Sequence, residues 1–222
     1  MADIFHHYHV GLSQPCRSVL MILKLTNAPH EVHHVDFRKG DNKKPDFPNP
    51  FGRVPTIVHG DFVLTESPAI AKYILNVQKG DDHWYPADIK KRARVDEFLS
   101  YYHTSIRKAG IKIAVTCIFT PMRTGKPAPE EDKQQALKDF DEALARFEGY
   151  FLKNGPFIAG DEISIADIFA VSEILQADFS GADYLAGHPK IKEFIERTKA
   201  ALQPHFDEVF KPLNDFVKAN VK

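Results

Sequence analysis

Glu66 and Ser67 stand where a β-rich run gives way to a helix start, Thr65-Glu66-Ser67-Pro68. The spacing predicts Ser67 at the N-cap and proline at the first helical position, with Ala69, Ile70, Tyr73 and Ile74 continuing at helical intervals. The free N–H groups and positive dipole end of that helix favour a carboxylate, and the Glu66 carboxylate beside them favours an ammonium. An α-amino-acid head group offers both charges. The same residues would equally serve an ordinary capped helix whose Glu66 sits in water. Ser13 raises a second chemical question. It lies in Gly11-Leu12-Ser13-Gln14-Pro15, between a β-type run over Ile4 to Val10 and an amphipathic pattern at Val19, Leu20, Leu23 and Leu25. A hydroxyl there faces another helix N-terminus and can stabilise an anion. Tyr8, near the end of the same strand, carries a second hydroxyl.

The elements that must position these groups follow from the pattern. Asn27-Ala28-Pro29 ends the first helix, and Glu31 to Asp36 reads as a second strand, so the opening is a βαβ unit with a parallel pair. Lys39 to Asn49 is polar, with Pro45 and Pro48, and reads as an irregular loop or a short, poorly formed helix. Val54-Pro55 holds Val54 extended and permits a cis bond. Thr56 to His59 and Phe62 to Thr65 then form a hairpin about Gly60-Asp61, a pair suited to a type II′ turn. The order βαβ, loop, ββα predicts a four-stranded mixed sheet with helices packed on it, a thioredoxin-like α/β domain over residues 1–78. A linker is expected over 79–88, and an all-α domain over 89–222. In that second domain Val95, Phe98, Leu99, Tyr102 and Ile106 predict one long helix, and Leu137, Phe140, Leu144, Phe147 and Phe151 another. Ser164-Ile165-Ala166-Asp167 reads as a capping box opening a central helix, which makes Asp167 structural.

Whole-chain quantities narrow the partners. The 222 residues are 43% hydrophobic and carry 29 Lys plus Arg against 30 Asp plus Glu, a net charge of −1. No basic excess recommends nucleic acid or an anionic membrane, and no run is apolar enough to span a bilayer. The expected ligand is small and the expected location cytoplasmic, without a signal peptide. Two cysteines, Cys16 and Cys117, make no disulfide framework. The His6-His7-Tyr8-His9 and His33-His34 clusters invite a metal ion. Neighbouring strand residues point to opposite faces, however, and further ligands would have to come from elsewhere, so no metal is expected.

Taken together these features resemble the cytosolic glutathione transferases, and the theta class in particular. Ser13-Gln14-Pro15-Cys16-Arg17 is similar to the segment that carries that class's catalytic serine, Arg53-Val54-Pro55 to its cis-proline segment, and Leu64-Thr65-Glu66-Ser67 to its γ-glutamyl site. His83-Trp84-Tyr85-Pro86, His103-Thr104, Ile163 to Asp167 and His188-Pro189-Lys190 extend the resemblance over nearly the whole chain. It implies a homodimeric enzyme that takes glutathione as co-substrate and conjugates it to small hydrophobic electrophiles such as alkyl halides, epoxides and activated alkenes, with peroxidase activity as a variant. It implies Ser13 as the activating hydroxyl, and Val54 and Pro55 against the cysteinyl part of glutathione. Glu66 and Ser67 would hold the γ-glutamyl end, and Arg107 would line the electrophile pocket. Lys39-Gly40 is followed by Asp41-Asn42 where a histidine is common, which leaves Asn42, Lys43 and Arg53 as candidates for the glycyl carboxylate. Two rivals keep the fold. One is a binding protein without catalysis. The other is a thiol–disulfide oxidoreductase using Cys16, since Ser13-Gln14-Pro15-Cys16 has the layout of C-x-P-C.

Overall fold

The computed structural model describes residues 3–221. Strand β1 (Phe5–His9), helix α1 (Gln14–Leu25) and strand β2 (His30–His34) form the opening unit, with β1 and β2 parallel. Strands β3 (Thr56–His59) and β4 (Phe62–Leu64) make the hairpin, and β3 runs antiparallel to β1, giving the mixed order β2-β1-β3-β4. At the hairpin turn Gly60 takes φ 62°, the conformation glycine adopts without a side-chain clash.

Alternation along β1 divides the sheet into two different faces. Phe5, His7 and His9 are buried, while His6 and Tyr8 point the other way and stay partly open. Phe5 stacks on His59 and meets the edge of Tyr73 from helix α2 (Ser67–Gln78), so the helices cover that face. On the other face Tyr8 meets the edge of Phe47, which belongs to the segment between β2 and β3. That segment contains one short 3₁₀ turn, Asp41–Lys43, and is otherwise irregular.

Helix α2 starts one residue earlier than its sequence suggests. Ile70 N–H bonds the Glu66 carbonyl at 3.0 Å, so Glu66 occupies the N-cap while Ser67 and Pro68 are the first two helical residues. After Lys79 in the left-handed region and a 3₁₀ turn at Asp82–Trp84, helix α3 (Ile89–Tyr101) begins under the Asp88 carboxylate, which accepts from the Lys90 and Lys91 N–H groups. The single long helix expected through Ile106 is broken. Ser105 and Thr104 both donate their hydroxyls back to the Tyr101 carbonyl, at 2.8 and 3.3 Å, and Ser105 leaves helical geometry at φ −118°, ψ −105°. Local side-chain bonds of this kind compete with the helical ladder. A new helix, α4 (Ile106–Ala114), follows, then a π turn (Val115–Phe119) and a short α5 (Thr120–Thr124) beginning near Pro121, which has no N–H to donate.

The remaining helices are α6 (Glu130–Tyr150), α7 (Ile165–Ile174), α8 (Pro189–Ala201) and α9 (His205–Asn220). Every residue of α7 is buried. Burial of Ile165, Ile168, Phe169, Val171 and Ile174 contributes about 1.5–3 kcal/mol each. The capping box forms as expected: Asp167 accepts from the Ser164 N–H at 2.8 Å and the Ser164 hydroxyl at 2.9 Å, and also from the distant Ile158 N–H at 2.8 Å. Burial still pushes the Asp167 carboxyl up to about 6. α1 packs against both α7 and α9, so the turn between β1 and α1 that carries Ser13 sits directly on the helical half. No helix among the described residues is long and apolar enough to cross a membrane.

Candidate active site

Ser13 is the N-cap of α1, with extended backbone (φ −85°, ψ 120°), and its carbonyl accepts the Arg17 N–H at 3.0 Å. Its hydroxyl makes no capping bond to the helix it starts. The residue is fixed from behind. Arg17, wholly buried, donates to the Gly11 carbonyl at 3.3 Å, to the Ser172 carbonyl at 3.1 Å and to Gln176 Oε1 at 2.8 Å. Gln176 Nε2 in turn donates to the Leu12 carbonyl at 3.3 Å. Gly11 passes so close to α9 that a Cβ there would lie 2.8 Å from Pro212 Cβ.

Two concavities meet at this turn. A polar cleft of about 150 Å³ is lined by Pro15, Arg53, Val54, Glu66, Ser67 and Arg107 among others. A larger cavity of about 770 Å³ is lined by Leu12, Phe37, Phe119, Met122 and Phe216, with Arg38 and Arg123 at its polar parts. Phe37, Phe119 and Met122 are 49%, 48% and 62% exposed, so a substantial part of the exposed apolar surface is gathered in one cavity. Leu12 lines the cavity and Pro15 the cleft, and Ser13 stands between these two residues in the chain.

Glu66 shows what the cleft demands of the backbone. At φ 66° and ψ 104° it holds a conformation that non-glycine residues avoid, and its side chain remains exposed at the mouth of α2. Strain of order 1–3 kcal/mol persists only where the surroundings enforce it, and such residues cluster at ligand sites. Ser67, 5% exposed, lies at the same helix start with its Oγ 3.4 Å from the Tyr102 hydroxyl. The Val54-Pro55 peptide is cis, and Val54 precedes β3.

Not every candidate converges on the cleft. Asn42 Nδ2 donates to the Gly52 carbonyl at 2.9 Å, tying two parts of the loop together, and neither Asn42 nor Lys43 is among the cleft's lining residues. Arg53 is, so it is the glycyl-end candidate that geometry favours. Arg107 opens into the cleft beside Glu66 and Ser67, away from the lining of the apolar cavity. It donates to Glu173 Oε1 at 2.6 Å, and burial pushes the Glu173 carboxyl up in spite of Arg107 and Arg17 nearby. Tyr8 packs between Phe47 and His33, in neither lining. Cys16 is fully buried, and burial pushes its thiol up to about 11, against the opposing influence of the Ser13 hydroxyl and the Val10 backbone.

The helical half adds His103 and Arg107 to the lining of the cleft, and the Tyr102 hydroxyl lies 3.4 Å from Ser67 Oγ. Sequence periodicity assigned Tyr102 to a core stripe. Tyr102 is indeed buried, packed on Phe98 and Phe169, while Thr104 and Ser105, whose hydroxyls bond back to Tyr101, end the helical run and precede Arg107 at the cleft.

A family model described as "Glutathione S-transferase, N-terminal domain" matches residues 13–76, and one described as "Glutathione S-transferase, C-terminal domain" matches residues 108–201. The chain belongs to the glutathione S-transferase family. Its relatives are theta-class. Glutathione S-transferase theta-1 of Mus musculus is 36% identical over 193 residues, 86% of this chain and 80% of that protein. Glutathione S-transferase theta-2B of Homo sapiens is 37% identical over 194 residues, 86% of this chain and 79% of that protein. A human theta-class glutathione transferase solved with the glutathione conjugate of 1-menaphthyl sulfate superposes with a TM-score of 0.91 at 31% identity, covering 98% of this chain and 90% of that one. Human glutathione transferase theta-2, solved with glutathione and an unknown ligand, gives 0.90 at 30% identity, covering 97% and 90%. As a glutathione S-transferase of theta type, the chain combines a polar cleft lined by Pro15 and an apolar cavity lined by Leu12, the residues that flank Ser13-Gln14 in the turn.

Proposed function

We propose that this protein is a glutathione transferase that binds glutathione in the polar cleft, activates its thiol through Ser13 and conjugates it to small apolar electrophiles admitted by the neighbouring cavity. The observation that supports this reading is that the turn carrying Ser13 contributes Pro15 to the cleft of Glu66, Ser67 and Arg53 and Leu12 to the cavity of Phe37, Phe119 and Phe216. Glutathione would lie with its γ-glutamyl carboxylate on the first N–H groups of α2, its ammonium on Glu66, its cysteinyl backbone along Val54 and its glycyl carboxylate toward Arg53.

A glutathione thiol resembles cysteine, with a pKa of about 8.5, so little thiolate exists at neutral pH. Lowering that pKa by about two units requires only ~2.7 kcal/mol, within reach of one hydroxyl donor and the start of a helix. The Ser13 O–H donates to the sulfur anion, the anion attacks carbon, and a halide leaves or a double bond takes up the charge. The reaction requires no metal and no covalent bond to the enzyme. Halide, epoxide, alkene and peroxide substrates stay open, because cavity shape rather than motif selects among them.

A homodimer belongs to the same reading. It is supported by Phe51, 71% exposed, and by the exposed Phe62 and Val63 on the edge strand β4. Retention on immobilised glutathione together with glutathione-dependent turnover of an alkyl halide tests the function. Retention without turnover of any electrophile class would leave a binding protein instead. Light scattering that finds only monomer at micromolar concentration would sink the dimer.

A further inference from the structure

The sheet face opposite α1 and α2 carries a second group of chemically active side chains, on the edge strand β2 and its neighbour β1, on the side of the sheet away from β4. In the parallel register of β1 and β2, His6 lies beside Glu31 and Tyr8 beside His33. Three atoms converge there. His6 Nδ1 is 2.9 Å from His33 Nε2, Glu31 Oε2 is 3.4 Å from His6 Nδ1, and the same oxygen is 3.8 Å from His33 Nε2.

Ligand atoms held about 2.0–2.2 Å from one ion in tetrahedral or octahedral geometry are about 3–3.5 Å apart. The triangle is therefore close to one face of a coordination polyhedron. A hydrogen bond between the two imidazole nitrogens accommodates one proton between them, whereas a divalent cation engages both lone pairs and the carboxylate together. Tyr8 stacks on His33 at 4.9 Å with 19° between the rings, and Phe47 backs Tyr8, so one ligand ring is oriented in advance. The side chains of His6, Glu31 and His33 are 36%, 57% and 33% exposed, which leaves room for water to complete the shell. Two imidazoles and a carboxylate favour zinc, copper or nickel over magnesium and calcium.

A second cluster, His7, His9 and Cys16, also brings its ligand atoms within 4.8 Å of one another. It is fully enclosed, and the Arg17 guanidinium acts on His9, so a cation there would meet like charge without solvent. Neighbouring β1 residues do point to opposite faces, and the outer cluster forms because the parallel neighbour β2 brings Glu31 and His33 beside His6.

We propose that His6, Glu31 and His33 form a binding site for a divalent first-row transition ion, zinc or copper, separate from the glutathione chemistry. Calorimetric titration of the full chain, free of glutathione, with zinc chloride should show one ion bound with micromolar affinity. His33→Asn and Glu31→Gln should each weaken it at least tenfold while glutathione-dependent turnover stays unchanged. Zinc should raise the Tm of the unmodified protein and not that of His33→Asn. Cobalt gives the location independently, since its visible bands should appear without the near-ultraviolet band of a thiolate ligand. A thiolate band would move the ion to Cys16 or Cys117 and overturn the proposal. So would affinity no better than millimolar, or titrations indifferent to His33→Asn.

Discussion

Arg107 and Glu173 form an ion pair between α4 and α7, Nη1 to Oε1 at 2.6 Å, with the glutamate only 1% exposed. Removing one member of such a pair leaves a buried charge without its partner, which costs about 3–5 kcal/mol. Arg107→Ala should therefore lower the urea midpoint strongly as well as impair glutathione binding. Arg107→Met combined with Glu173→Gln should recover most of the stability while glutathione affinity stays low. If Arg107→Ala unfolds at the same urea concentration as the parent, the pair contributes nothing and Arg107 acts on the ligand alone.

Ser13→Ala should reduce turnover at least tenfold, equivalent to about 1.4 kcal/mol of lost thiolate or transition-state stabilisation. The affinity for glutathione should fall much less. Tyr8→Phe should keep more than half of the activity, because Tyr8 packs against Phe47 and His33 outside both concavities. Rate against pH in the two variants separates the hydroxyls: a raised apparent thiol pKa in Tyr8→Phe, with Ser13→Ala normal, would reverse their roles.

Burial holds the Cys16 thiol at about 11, above the ordinary cysteine value, so the neutral form is favoured and reactivity should climb with pH until that point. At pH 8 only about one molecule in a thousand carries the thiolate. In a Cys117→Ser background without glutathione, native Cys16 should resist iodoacetamide at pH 8 and react promptly in urea. Native alkylation as fast as that of free glutathione would revive the disulfide-exchange mechanism.

Asp167 accepts three hydrogen bonds inside the protein. Asp167→Ala strands the Ile158 and Ser164 N–H groups and should cost at least 3 kcal/mol, whereas Ser164→Ala, losing one hydroxyl, should cost about 1 kcal/mol. Chemical denaturation measures both, and glutathione affinity in the folded fraction should not change. Equal losses would mean that the carboxylate's long-range bond to Ile158 is unimportant.

The four-stranded mixed sheet, the hairpin turn and the start of α7 were legible in the sequence because each rests on neighbours in the chain: the succession βαβ then ββα, Gly60 in its turn, Ser164 with Asp167. The cleft was legible as far as residues 53–67 for the same reason. What sequence did not reveal came from contacts between distant segments. Asn42 turns from the cleft to bond Gly52, and Arg107 is drawn to Glu173, 66 residues away. The outer histidine cluster likewise depends on the register of β1 against β2, which periodicity within either strand does not encode.

The clearance between Gly11 and Pro212 has an evolutionary consequence. The turn that carries Ser13 is shaped by Gln176 and by a proline ten residues before the chain's last, so the two halves of the protein cannot be inherited separately without refitting. A chimaera that joins residues 1–78 to the helical half of another transferase would keep every residue proposed for thiol activation. It would still lose the partners of Arg17 and the shape that admits Gly11. An exchange of halves that carries residues 11, 17, 176 and 212 as one set keeps these contacts intact.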